Sequence, residues 1–168
     1  MKQPEPWLRG PDLAIHPIAR PLAHAFTHVR EDVEFWTDGL TTGELWARPM
    51  GLGPAGFHIR HIGGSAGRLA TYLEGKQLSD EQMSELRAEL DPGASRDQLL
   101  EELEWRLLRC ESIVDALDPR AWFDPREVGR KRLPTSVGGL VTHIAEHSLR
   151  HVGELIVTAK VLRALRGE

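Results

Sequence analysis

Three of the eight histidines in this 168-residue chain, His143, His147 and His151, follow one another at four-residue intervals. On an α-helix that spacing offsets neighbours by about 40° and roughly 6 Å along the axis. Two imidazoles so placed can grip one metal ion, which needs a ring nitrogen at about 2.0–2.1 Å. Three histidines complete a site that leaves one position for water or substrate. The same stretch reads His143-Ile-Ala-Glu146-His147, the H-x-x-E-H pattern in which two histidines bind zinc and the glutamate is the general base.

Choosing between these readings requires the helix that carries them. From Pro134 to Lys160, the residues Val137, Leu140, Val141, Ile144, Val152, Leu155 and Ala159 form an apolar stripe of period near 3.6, continued by Leu162. Thr135 or Ser136 supplies an N-cap. At about 100° per residue, His151 lies roughly 60° from the stripe centre, His147 roughly 100° and His143 roughly 140°. A pocket beside the core therefore uses His147 and His151 before His143, which faces solvent. That placement, and the lack of a second lobe to form a protease cleft, weigh against H-x-x-E-H.

A third ligand must come from another helix. A second periodic segment, about 56–74, carries Ile59, Ile62, Ala66, Leu69 and Leu73, with His58 and His61 near its start and Gly75 at its end. Periodicity leaves both histidines open, His58 lying nearer the apolar stripe. Gly63, Gly64 and Gly67 are unusual in a helix interior and imply a close approach to the backbone or tight packing.

The remaining segments complete a four-helix bundle of the all-α class. The first long helix spans about 17–38, with Ile18, Leu22, Phe26, Val29, Val33 and Trp36 inward and Gly39 at its end. His24 and His28 lie off that stripe and read as surface residues. Thr41 and Glu44, and again Ser79 and Gln82, have capping-box spacing, and Trp46 tucks into the bundle. A short helix over 79–90 precedes a break at Asp91-Pro92-Gly93. Ser95 and Gln98 open the third long helix, which runs to about 117 on Leu99, Leu103, Leu107, Cys110 and Val114. Residues 118–133 read as a connector with a basic GRKR run, residues 1–14 as an extended arm, and 15–168 as one domain.

Composition narrows the function. The net charge of −4 is mild and its signs are interspersed, so no basic stripe points to nucleic acid. No run approaches the roughly 18 apolar residues of a membrane span. The N-terminus lacks a signal-peptide core, and a single cysteine suits a reducing compartment, so the expected location is cytoplasmic. The absence of Glu-x-x-His removes a ferritin-like di-metal site. A lone helical Cys110 reads as a small core residue.

The order of RHIGGSAGRLATYLEG, SRDQLLEELE and SVGGLVTHIAEHSLRHVGELIVTAK resembles the DinB-like (DinB/YfiT) superfamily of metal-dependent proteins over roughly 15–165. The most specific part of that pattern is His-x-x-x-His-x-Gly-Gln together with a histidine early in the second helix. The resemblance implies metal ligands His61, His147 and His151, with His61 preferred to His58 because the following Ile62-Gly63-Gly64-Ser65 matches the family's run. Glu154 stands where the family has glutamine, and is the candidate for orienting a ligand or bound water. The resemblance also implies an up-down-down-up bundle, a divalent ion such as zinc or nickel, often a homodimer, and a small-molecule substrate. Members of assigned activity include thiol-dependent S-transferases and isomerases, so a low-molecular-weight thiol is an expected co-reactant. The competing expectation is a non-catalytic dimeric bundle whose metal is structural or absent. Phe35, Val157 and Val161, off their helices' main stripes, mark the expected subunit contact.

Overall fold

The computed structural model describes residues 3–10 and 13–167. Residues 1, 2, 11 and 12 of the expected N-terminal arm lie outside the described residues, as does 168. Four long helices dominate: α1 (Arg20–Thr37), α3 (Ala55–Leu73), α5 (Arg96–Asp115) and α6 (Val137–Arg166). Two short ones, α2 (Thr42–Leu45) and α4 (Asp80–Ala88), lie in the connections. The expected capping boxes form at all three starts: Thr41 with Glu44, Ser79 with Gln82, and Ser95 with Gln98. Ser136 caps α6 by accepting from the Gly139 amide at 3.1 Å. Gly39 and Gly75 follow α1 and α3 with φ of +71° and +74°, the left-handed conformation that ends a helix without a Cβ penalty.

Cross-helix contacts set the directions. Residues 53, 58 and 61 face 158, 151 and 147, so α3 and α6 run antiparallel. Arg30 pairs with Glu104 and Glu111 while Arg96 donates to the Glu34 carbonyl at 2.8 Å, so α1 and α5 also run antiparallel. Arg163 donates to the carbonyls of Phe35 and Trp36, bringing the ends of α1 and α6 together. Between the four helices lies one apolar core, with Phe26, Ile59, Leu107 and Leu155 fully buried. Ile18, expected in the α1 stripe, precedes the helix and is 40 % exposed.

Two segments depart from the expected irregular chain. Within 118–133 the chain forms strand β1 (Pro125–Val128), which pairs antiparallel with β2 (Leu133–Ser136). The basic run is the turn between them, with left-handed φ at Gly129 and Arg132. Four-residue strands with two exposed and two half-buried positions each carry too little apolar alternation to read in advance. In the N-terminal arm, Pro6–Leu8 make a 3₁₀ turn, Pro6 is buried, and Arg9 donates to Glu31 of α1 at 2.8 Å. No helix among the described residues is long and apolar enough to cross a membrane.

The glycines of α3 do both things the sequence implied. A Cβ on Gly63 would stand 3.3 Å from Arg106 Cβ and 3.4 Å from Leu103 Cα, so its absence lets α3 and α5 pack backbone to backbone. Gly64 faces the loop after α4 instead.

Candidate metal centre

The antiparallel meeting of α3 and α6 brings four histidines into one cluster. His61 Nε2 lies 3.0 Å from His147 Nε2. The His151 ring centroid is 4.4 Å from that of His61 and 4.6 Å from that of His147. One ligand nitrogen from each of the three falls within 4.8 Å of the others. Nitrogens bound to one ion at about 2.0–2.1 Å stand no more than roughly 4.2 Å apart, so small side-chain adjustments suffice to close this set on an ion. The donor chemistry fits: three imidazoles suit zinc or nickel.

His58 is also in the cluster, with Nδ1 3.0 Å from His151 Nδ1. The Glu154 carboxylate sits 3.5 Å from both of those nitrogens. His58, His151 and Glu154 thus form a second overlapping group with metal-ligand spacing. His143 belongs to neither group; its Nδ1 pairs with Glu146 at 2.9 Å on the outer face of α6. Glu146, with its side chain 56 % exposed, is engaged by His143 and does not face the cluster as a general base would. His24 and His28 are likewise outside both groups.

Burial tunes these rings. It pushes His147 down to about 4, with smaller repulsion from His151 and His61. It pushes His58 down to about 4 against the opposing pull of Glu154, and lowers His151 as well. All three are therefore neutral at physiological pH, the form that ligates metal. Burial also pushes the Cys110 thiol up to about 12, which makes it an inert core residue.

The lowered values carry a stability consequence. Between about pH 6.5 and 4, the unfolded chain holds protons on His58 and His147 that the folded chain does not, so stability rises with pH across that window. The contribution is fully present above the unfolded value near 6.5 and is lost as pH falls toward 4. Melting of chelator-treated protein should drop several degrees from about pH 7 to pH 5. A melting temperature flat over that range contradicts the assignment.

Sequence reasoning missed Glu89. It is the C-cap of α4 and only 4 % exposed, and its Oε2 lies 2.6 Å from His61 Nδ1. A carboxylate only accepts, so Nδ1 carries the proton and Nε2 keeps the lone pair that faces His147. Arg68 holds the other carboxylate oxygen at 2.7 Å. The available signal was Arg68 itself, a charge amid the glycines and alanines of the second half of α3, where it is buried and demands a partner.

A helical bundle with converging histidines from its second and fourth long helices defines a class of candidate metalloprotein. The chain belongs to the DinB superfamily, whose family model matches residues 25–155 and so takes in all six clustered groups from His58 to Glu154. No curated protein matches the chain.

Proposed function

We propose that this chain is a metal-dependent enzyme in which His61, His147 and His151 hold one divalent ion, zinc or nickel. The observation that carries this is the convergence of three ring nitrogens from two helices, with His61 Nε2 and His147 Nε2 at 3.0 Å. The ion, when bound, supplies Lewis acidity and lowers the pKa of a coordinated water or thiol near neutral pH. The chain's own residues shape the approach. A cavity of about 460 Å³ opens beside the cluster, lined by Leu52, His58, Glu154, Val157 and Thr158 among others. His58, kept neutral by burial and in contact with His151, forms part of the cavity wall beside the three ligands. Glu154 orients the Nδ1 side of His151 from the rim. Thr158 donates to the Gly53 carbonyl at 3.0 Å and fixes the loop before α3. Ser65, which closes the run that favours His61, is buried and does not line this cavity.

Family resemblance supports a reaction between a low-molecular-weight thiol and a small electrophile, by S-transfer or isomerisation, with hydrolysis as the variant that uses water. A screen of thiols against electrophiles, run on stripped and zinc- or nickel-loaded protein, tests this. Turnover lost on stripping and restored by the ion is expected. Absence of metal-dependent turnover with every pair assigns the chain to the non-catalytic alternative.

The reading includes a cytoplasmic homodimer acting on a small molecule. Phe35 is 63 % exposed and Val157 50 % exposed, apolar surface suited to a second copy. Light scattering at tens of micromolar is expected to return twice the 18.8 kDa chain mass, and a monomer mass contradicts it.

A further inference from the structure

Helix α4 lies in the long connection between α3 and α5 and buries none of its own residues. It docks by polar contacts: Gln82 donates to Thr71 at 2.8 Å and Arg106 to Glu85 at 3.0 Å. Arg60 of α3 donates to the carbonyls of Ala88 and Asp91 at 3.2 and 2.7 Å, tying the chain that follows α4 to α3. The one carboxylate this element sends inward is Glu89. Taking an ionised carboxylate out of water is costly unless opposite charge is brought to it.

Its socket is built by one face of α3. His61, Gly64 and Arg68 recur at helical spacing and so share a face. His61 Nδ1 meets one carboxylate oxygen at 2.6 Å, and Arg68 Nη2 pairs with the other by charge at 2.7 Å in a geometry that makes no hydrogen bond. A Cβ on Gly64 would stand 2.6 Å from Glu89 Oε1 and 2.8 Å from Arg68 Nη1, so only glycine leaves the pair its room. A connection needing only an anchor has the Arg106–Glu85 pair at the rim; a buried carboxylate adds desolvation cost without adding apolar packing. What it adds is a fixed proton on His61.

We propose that Glu89 is a positioning residue of the metal centre: its carboxylate holds the proton on His61 Nδ1, presents Nε2 to the ion, and is itself held by Arg68 and the open face at Gly64. The inference rests on the three-histidine reading. It makes the α3–α5 connection part of the site, and it explains why a glycine interrupts α3 at 64.

The test uses the full chain, zinc alone as the probe, and two variants. Arg68→Met with Glu89→Leu removes both charges together and leaves no uncompensated ion. Gly64→Ala keeps every functional group, favours the helix, and displaces the carboxylate. Glu85→Gln is the control, since it breaks an ion pair of the same short helix that does not touch His61. By competition with a chelator, zinc affinity is expected to fall roughly 10- to 100-fold in the double variant and several-fold in Gly64→Ala, with Glu85→Gln unchanged. Nitrogen-detected NMR of zinc-free protein is expected to show His61 protonated at Nδ1 in the wild type and at Nε2 in the double variant. A purely structural role for the pair moves melting temperature but neither affinity nor tautomer. Wild-type affinity in both variants, or a wild-type His61 protonated at Nε2, overturns the inference and leaves the three-histidine site standing. Wild-type protein that takes up no zinc overturns both.

Discussion

Replacing His151 or His147 by alanine is expected to weaken zinc binding by about 3–5 kcal/mol, or two to nearly four orders of magnitude in Kd. The magnitude is one ligand's share of the roughly 10–16 kcal/mol that structural zinc sites supply. Both rings sit at the inner flank of α6 and are neutral through burial, so neither spends binding energy on losing a proton at pH 7. On α6 no further histidine faces the cluster to replace either one. His143 is the next histidine along the helix, and it points outward to Glu146. His143→Ala should therefore leave zinc affinity unchanged, because its ring lies outside both groups with ligand spacing. Chelator competition on the three variants decides the matter. Loss in His143→Ala with retention in His151→Ala restores the H-x-x-E-H reading.

The second large effect is on the fold. Phe26 of α1 has no exposed surface and belongs to the single core shared by the four long helices. Phe26→Ala should destabilise the protein by about 3–5 kcal/mol through lost transfer energy and the cavity left behind. That is a large part of the roughly 5–15 kcal/mol that holds a typical domain folded. The loss should be the same with and without zinc-chelating conditions once the ligand's own linkage is subtracted, because neither group with metal-ligand spacing includes a residue of α1. A denaturant midpoint that barely moves would show that the core is organised differently.

The bundle was legible because each long helix carries its own local instructions. Periodic apolar residues, three capping boxes, and Gly39 and Gly75 at helix ends all act within a few residues of one another. The face on which each α6 histidine lies followed from the same periodicity: the His143 side chain is 45 % exposed and that of His151 only 13 %. His58 against His61 was not decided by the wheel, and the structure shows why, since both rings reach the cluster. Glu89 was illegible for a different reason. It sits 28 residues from His61, at the end of a short polar helix, and its burial is imposed by Arg60, Gly64 and Arg68 on a neighbouring element. The β1–β2 hairpin escaped notice because its strands are short and have no buried position.

The most direct measurement is a calorimetric titration of metal-free wild type, His61→Ala and His58→Ala with zinc. The account predicts one ion per chain in the wild type and in His58→Ala, and loss of that binding in His61→Ala. Full binding in His61→Ala with loss in His58→Ala would move the site to His58, His151 and Glu154, and no uptake by the wild type would contradict a metal centre here.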